Sequence, residues 1–167
     1  MASKKFHPLQ PTPCGVEILG TGMAVPSRVV TNADISSIVD TNDEWIRQRT
    51  GIVERHICDP SKGEDTRFLC TEALRKALLD ANVPASELDL IIVGTITSDF
   101  NTPSTACMVG ARLNAGQACC WDMSAACCGF VYALNTAHDL IRMGSFKTVG
   151  VIGADAISSI TDNRNRN

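Results

Sequence analysis

A nearly continuous apolar run at Leu88–Thr97 constrains the fold of this chain more than any other stretch. Its residues, L-D-L-I-I-V-G-T-I-T, are mostly aliphatic or branched at the β-carbon, and such a run is typical of a strand that is covered on both faces. Strands of this kind occur mainly in parallel sheets, whose connections are helices that cover the sheet. The run therefore predicts a layered α/β protein with a mainly parallel sheet.

Other strands and helices alternate along the chain on both sides of this run, as a parallel sheet requires. Further strands are predicted at Val16–Leu19, Val53–Ile57, Cys119–Met123 and Thr148–Ile152. The spacing of apolar residues and the capping signals predict helices at Ala33–Val39, Glu44–Arg49, Asp65–Ala81, Pro103–Leu113 and Cys127–Met143. We expect residues 1–14 to be a polar leader and residues 15–167 to form one domain.

Charge and hydropathy argue against several classes of function. The formal net charge of -3 does not favour general nucleic-acid binding, which usually requires a basic face. No apolar run approaches the length of a membrane span. The N-terminal segment has Lys4 and Lys5 but no apolar stretch after them, so it does not resemble a secretory signal, and we expect a cytoplasmic protein.

The eight cysteines need an explanation of their own. Without a secretory signal, a disulfide framework is not expected. The pairs Cys119–Cys120 and Cys127–Cys128 are adjacent, whereas zinc sites usually space paired cysteines by two to four residues, so no metal site is predicted. Most of the cysteines are therefore expected to be reduced residues of the core.

Cys127 is the cysteine whose surroundings predict chemistry. The stretch Cys119–Phe130, C-C-W-D-M-S-A-A-C-C-G-F, is typical of a short strand, a tight turn of small residues and the start of a helix. At a helix N-terminus, free N–H groups and the helix dipole favour the thiolate form of a cysteine. Two interpretations remain open from these residues alone, a nucleophile and a buried small apolar residue. Neither His56 nor His138 is placed by the sequence to act as a base for it.

Two motifs, in the same order along the chain, resemble one enzyme family. The segment Asp40–Ile57, D-T-N-D-E-W-I-R-Q-R-T-G-I-V-E-R-H-I, resembles the signature of β-ketoacyl-acyl-carrier-protein synthase III, the condensing enzyme that starts fatty-acid synthesis. The Cys127 stretch is similar to the nucleophile segment of the same family. The resemblance implies the N-terminal half of a thiolase-like fold. We expect the C-terminal half, which supplies a catalytic histidine and asparagine in that family, to be absent from this chain.

The same resemblance implies a role for each candidate site residue. Cys127 would take an acyl group from acyl-coenzyme A, and malonyl-acyl-carrier protein would then condense with it and lose carbon dioxide. Trp45 matches the residue that stacks on the adenine of coenzyme A, and Arg166 matches the arginine on the other side of that ring. Thr41 and Arg49 match further coenzyme contacts. No permanently bound cofactor is implied, and a homodimer is expected.

A function of another class stays open at this stage. The chain could be a non-catalytic half-fold that serves as an interaction or dimerisation module, or one subunit of a split acyltransferase. A half of this fold would expose the face that normally packs against its sister half, which predicts a large apolar patch. If the condensing-enzyme interpretation is right, this chain alone is expected to be inactive in condensation.

Overall fold

A computed structural model describes residues 15–161. The strands are β1 Arg28–Thr31, β2 Glu54–Ile57, β3 Leu90–Gly94, β4 Cys119–Met123 and β5 Val149–Gly153. The α-helices are α1 Asn32–Ser36, α2 Asp43–Thr50, α3 Thr66–Ala81, α4 Thr105–Leu113 and α5 Gly129–Arg142. The expected polar leader, residues 1–14, and Arg166 lie outside the described residues.

The main sheet is parallel and has β3 at its centre. Its strand order is β4-β3-β5, with Ile92 of β3 paired to Trp121 on one side and to Val151 on the other. All five residues of β3 are buried. The predicted α/β class, the mainly parallel sheet and the doubly covered central strand are therefore confirmed.

Side chains of β3 point alternately into two apolar layers, because successive strand residues face opposite sides of a sheet. Ile91 and Val93 pack in a cluster that includes residues of α3 and α4, namely Cys70, Leu74, Ala106 and Val109. Leu90 and Ile92 pack on the other face against Ala133 and Ala137 of α5. The sheet thus lies between α3 and α4 on one side and α5 on the other.

Helix α3 shows how closely local signals set an element's ends. The Asp65 side chain accepts a hydrogen bond from the backbone N–H of Phe68 at 2.6 Å, which caps the first turn. The helix ends at Asn82, whose φ of 51° is in the left-handed region that asparagine tolerates. The predicted helix Asp65–Ala81 is confirmed, with Asp65 as its cap.

The predicted first strand at Val16–Leu19 is wrong. Residues 15–26 form no strand and lie along α3 instead: the N–H of Thr21 donates to Asp80 at 2.8 Å, and Lys76 donates to the carbonyl of Met23 at 2.8 Å. A β-carbon on Gly20 would lie 2.5 Å from the carbonyl oxygen of Ala77, so this close approach depends on glycine. A strand requires a hydrogen-bonded neighbour, and within the described chain this segment has a helix beside it.

A second, two-stranded sheet contains a strand that the sequence does not predict. Arg28–Thr31, to which the sequence assigns neither a strand nor a helix, forms β1 and pairs antiparallel with β2, with Val29 opposite His56. The predicted strand Val53–Ile57 corresponds to β2 and is confirmed to within one residue. The four residues of β1 carry too short a pattern to predict a strand, and their distant partner β2 decides their conformation.

Burial of the cysteines also differs from the prediction. Of the seven cysteines in the described chain, only Cys70 is buried, whereas Cys107, Cys119, Cys127 and Cys128 are exposed. Most of them are therefore not core residues in this structure. Within residues 15–161, no helix combines the length and apolar character that crossing a membrane requires.

Candidate active site

The carboxyl ends of the three parallel strands meet at one edge of the main sheet. Gly94, Met123 and Gly153 occupy equivalent positions at the ends of β3, β4 and β5. Backbone hydrogen bonds continue beyond the strands, from the Thr95 N–H to the Met123 carbonyl at 3.2 Å and from the Ala154 N–H to the Gly94 carbonyl at 3.1 Å. Open parallel sheets bind their ligands outside this edge, so the edge is where a site is expected.

Cys127 lies at this edge in a tight turn that joins β4 to α5. Residues Ala126–Cys128 form one turn of 3₁₀ helix, and α5 begins only at Gly129. The predicted helix Cys127–Met143 therefore starts two residues too early, and the cysteine belongs to the turn before the helix. Ala126 has a φ of 45°, in the left-handed region that costs a non-glycine residue free energy. Cys127 itself is exposed, which excludes the buried-residue interpretation in this structure.

Glycines bring the start of α5 directly onto the ends of the strands. A β-carbon on Gly94 would lie 2.6 Å from the carbonyl carbon of Gly129, and one on Gly153 would lie 2.7 Å from the β-carbon of Phe130. Both distances are below van der Waals contact, so larger residues would push α5 outwards. The position of the Cys127 turn relative to the sheet therefore depends on these glycines.

Asp122 ties the end of β4 to the start of α4. Its carboxylate accepts hydrogen bonds from the backbone N–H groups of Thr105 and Ala106, at 2.7 and 2.8 Å. These two groups have no partner within the helix, and a carboxylate at a helix N-terminus also interacts favourably with the helix dipole. Asp122, from which the chain continues to Cys127, is therefore fixed against α4 by two hydrogen bonds. This role was missed from the sequence, although an acidic residue at a predicted strand end was a usable signal.

Asp155 holds the neighbouring loop at the same edge. Its carboxylate accepts hydrogen bonds from the Thr95 hydroxyl at 3.0 Å and from the Ile96 N–H at 2.8 Å. The loop after β3 is therefore bonded to the loop after β5. This residue was also missed, because its partners lie about 60 positions earlier in the chain.

Trp45 and Arg49 lie together on α2, away from the main sheet. The predicted helix Glu44–Arg49 is confirmed within α2, whose N-cap Asn42 accepts a hydrogen bond from the Trp45 N–H at 2.8 Å. The guanidinium carbon of Arg49 lies 5.7 Å from the centre of the Trp45 ring, within the range of a cation–π contact. Trp45 is 43% exposed, so its side chain can be reached from solvent.

Asn32 holds α2 in position. Its side chain is 1% exposed and donates hydrogen bonds to Asp43 at 2.7 Å, in the first turn of α2, and to the carbonyl of Ile52 at 2.9 Å, just after that helix ends. Arg55 on β2 donates to the Asn32 side-chain oxygen at 2.8 Å. Hydrogen bonds from Arg47 and then from Asn32 lower the pKa of Asp43, which keeps that carboxylate ionised as an acceptor.

Thr41 lies just before α2 and has an unusual environment. Its hydroxyl oxygen is buried and has no hydrogen-bond partner among residues 15–161. A buried polar atom without a partner is uncommon and often marks a site for a bound group. The structure thus brings Thr41, Trp45 and Arg49 into one region around α2, and places Cys127 at the edge of the main sheet. Within residues 15–161, no group of three or more histidine, cysteine, aspartate or glutamate side chains is arranged to hold a metal ion.

A family model, sequence relatives and solved structures all show that this chain is similar to synthase III proteins. Residues 121–167 match the family model described as 3-oxoacyl-[acyl-carrier-protein (ACP)] synthase III. The chain is 49% identical, over 151 residues, to a β-ketoacyl-[acyl-carrier-protein] synthase III of Clostridium acetobutylicum, and the match covers 90% of this chain and 46% of that protein. A relative of the same name from Caldanaerobacter subterraneus is also 49% identical, with 90% and 45% covered.

Solved structures agree with these relatives. The crystal structure of 3-oxoacyl-[acyl-carrier-protein] synthase III from Aquifex aeolicus superposes with a TM-score of 0.86 at 45% identity, covering 91% of this chain and 48% of that one. The priming β-ketosynthase of the R1128 polyketide pathway superposes with a TM-score of 0.84 at 34% identity, covering 89% and 44%.

The parallel sheet, its two helical layers and these superpositions define a thiolase-like fold, of which this chain forms the N-terminal half. The chain spans about half the length of the curated relatives that it matches. Over that length it is similar in sequence and in structure to the β-ketoacyl-acyl-carrier-protein synthase III proteins.

Proposed function

We propose that Cys127 is the nucleophile that accepts an acyl group from acyl-coenzyme A. Its thiolate attacks the thioester carbonyl carbon, the bond from that carbon to the coenzyme sulfur breaks, and coenzyme A leaves as a thiolate that takes up a proton. The observation that carries this proposal is the exposure of Cys127 in a strained turn at the carboxyl edge of the sheet. Strain of this kind is often stored at functional sites.

Coenzyme A is the substrate that α2 and its surroundings suit. The half-exposed ring of Trp45 offers a stacking surface for adenine, and the charge of Arg49 favours a phosphate. The unpartnered hydroxyl of Thr41 offers a hydrogen bond to the bound coenzyme. Arg166, outside the described residues, is proposed for the other side of the adenine ring. No permanently bound cofactor is part of this proposal.

The activity proposed for the whole protein is that of a β-ketoacyl-[acyl-carrier-protein] synthase III, the name that its relatives carry. Malonyl-acyl-carrier protein loses carbon dioxide, the resulting carbanion equivalent attacks the acyl group on Cys127, and the cysteine leaves as a thiolate. The product is a β-ketoacyl-acyl-carrier protein, the first intermediate of fatty-acid synthesis. The histidine and asparagine that stabilise the developing charge are assigned, by resemblance, to the other half of the relatives' length.

Assembly is part of the same proposal. Helix α5 carries Phe130, Val131 and Leu134 with exposures of 47%, 60% and 38%, a face that suits the expected sister half. Residues 15–167 are proposed to act as one half-domain within a homodimeric enzyme. We also propose a cytoplasmic location, because the described cysteines are free thiols, as is usual in a reducing compartment. The alternative of a non-catalytic interaction module is less favoured, since the relatives bear the names of condensing enzymes.

Incubation of the 167-residue chain with acetyl-coenzyme A is expected to place an acetyl group on Cys127. Peptide mass spectrometry at neutral pH, with no reducing agent added after labelling, measures the thioester at each cysteine. The variant Cys127→Ala should lose the adduct. The matched control Cys128→Ala should keep it, because Cys128 is also exposed but is not assigned a role. Equal acetylation of Cys119, Cys127 and Cys128 would show ordinary thiol reactivity and would contradict the assignment.

Replacing Trp45 with alanine is expected to weaken coenzyme A binding by about 1–3 kcal/mol, the usual cost of removing an aromatic ring from a stacked base. Titration calorimetry of the chain with coenzyme A measures this change. Phenylalanine at position 45 should recover part of the affinity, because it keeps an aromatic face. Gln48→Ala, an exposed residue on the same helix, is the control and should leave the affinity unchanged. An affinity unaffected by Trp45→Ala would exclude adenine stacking at this position.

A further inference from the structure

Two thiols lie together between α4 and β4, outside the proposed acyl-transfer site. Cys107 is in the first turn of α4, and its thiol contacts the carbonyl oxygen of Cys120 at 3.8 Å. The Cys120 sulfur lies 3.2 Å from the position that a β-carbon on Gly110 would occupy. Gly110 is three residues after Cys107 and therefore on the same face of α4. Both thiols consequently occupy one side of the α4–β4 interface.

The two thiols differ in exposure. Cys107 is exposed and Cys120 is partly buried. Burial raises the pKa of Cys120 to about 11, and the neighbouring Cys107 contributes to the rise, because a thiolate there would repel a second negative charge. At neutral pH Cys120 is thus held as a thiol, while Cys107 is the member of the pair that a dissolved oxidant reaches first.

We propose that Cys107 and Cys120 are a redox-active pair that forms an intramolecular disulfide when the protein meets a peroxide. The Cys107 thiol gives up its proton, and the thiolate attacks one oxygen of hydrogen peroxide. The O–O bond breaks, Cys107 becomes a sulfenic acid, and the departing hydroxide takes up a proton to become water. The Cys120 sulfur then attacks the Cys107 sulfur, giving up its proton, and a second water leaves. Two thiols and one peroxide become one disulfide and two waters, and a thiol reductant reverses the change.

The positions of the neighbouring cysteines exclude them from the proposed disulfide. Cys119 is exposed, but successive strand residues face opposite sides of a sheet, so its side chain points away from the side that carries Cys120. Cys70 is fully buried, and burial raises the pKa of its thiol to about 12, which keeps it unreactive. All of these residues are cysteines, so it is their position at the contact between β4 and α4 that distinguishes Cys107 and Cys120 from the others.

Hydrogen bonds already hold β4 against α4 beside the two thiols. Asp122, two residues after Cys120, already ties β4 to α4 through the N–H groups of Thr105 and Ala106, immediately before Cys107. The disulfide would add a covalent tie next to existing hydrogen bonds. Cys127 lies beyond Asp122 in the following turn, so its thiol should remain available for alkylation after the pair has been oxidised.

Peroxide treatment of the reduced 167-residue chain tests the proposal. Excess hydrogen peroxide is added, remaining thiols are blocked with iodoacetamide, and non-reduced tryptic peptides are analysed by tandem mass spectrometry. Fragment ions locate the linked residue, because Cys119, Cys120, Cys127 and Cys128 lie on one tryptic peptide. The expected result is a cross-linked peptide joining Cys107 to Cys120, with the loss of two hydrogens, that dithiothreitol converts back to two free peptides. Cys119→Ser is the matched control and should form the same link, whereas Cys120→Ser and Cys107→Ser should lose it.

Three outcomes would overturn the proposal. They are a link that disappears in Cys119→Ser, a link from Cys107 to Cys127 in place of Cys120, and oxidation of Cys107 to a sulfinic acid while Cys120 stays alkylatable. The unmodified chain and the Cys119→Ser variant decide the matter even if the other variants fold poorly. The result is independent of acyl transfer, because acetylation of Cys127 is measured separately.

Discussion

Replacing Gly94 with alanine is expected to lower the free energy of unfolding by about 3 kcal/mol, the upper part of the range for overpacking a core. The added β-carbon would lie 2.6 Å from the carbonyl carbon of Gly129 and 2.9 Å from the backbone nitrogen of Phe130. These are backbone atoms, so no side-chain rotation relieves the clash, and α5 must move away from β3. Urea unfolding, followed by circular dichroism, measures the loss.

The same substitution should also slow acetylation of Cys127, because the turn that carries it precedes α5 directly. Gly116→Ala is the matched control: a β-carbon at that position would have no atom within 4 Å, and stability should change by less than about 0.5 kcal/mol. If Gly94→Ala and Gly116→Ala unfold at the same urea concentration, the contact between β3 and α5 is not as close as described.

Replacing Asn32 with alanine is expected to lower the free energy of local unfolding around α2 by about 3 kcal/mol. The change removes hydrogen bonds to Asp43 and Ile52 and one from Arg55, and bonds that involve a charged group are worth about 1.5–3 kcal/mol each. Because Asn32 is 1% exposed, its former partners are left without full replacement by water. Hydrogen exchange of the α2 amides measures this local loss of stability.

Binding and acylation should respond differently to this variant. Coenzyme A affinity is expected to fall, since Asn32 holds the helix that carries Trp45 and Arg49. Acylation of Cys127 by a short thioester without the nucleotide should be retained, because Cys127 lies at the main sheet. Asn135→Ala, at an exposed position of α5, is the control and should alter neither. An equal loss of coenzyme A affinity and of Cys127 acylation would show that Asn32 supports the whole fold rather than the region around α2.

The sequence by itself determined the elements whose signals are local. The apolar run that became β3 is covered on both faces, and α2 and α3 begin at the caps Asn42 and Asp65. A helix cap or a doubly apolar strand is encoded by residues within a few positions of one another, so a pattern reveals it. The two motifs around Trp45 and Cys127 indicated the similarity to the synthase III proteins for the same reason, since each motif is contiguous.

Only the tertiary structure decided the features that depend on distant partners. Val16–Leu19 is not a strand because its neighbour is α3, and Arg28–Thr31 is a strand because β2 pairs with it. The placement of Cys127 in a turn before α5 follows from the contact of Gly94 with Gly129, which are 35 positions apart in the sequence. Hydrogen bonds and close contacts between such residues leave no periodic trace along the chain. The sequence therefore indicated which cysteine to consider, and the packing of α5 on the sheet determined where that cysteine lies.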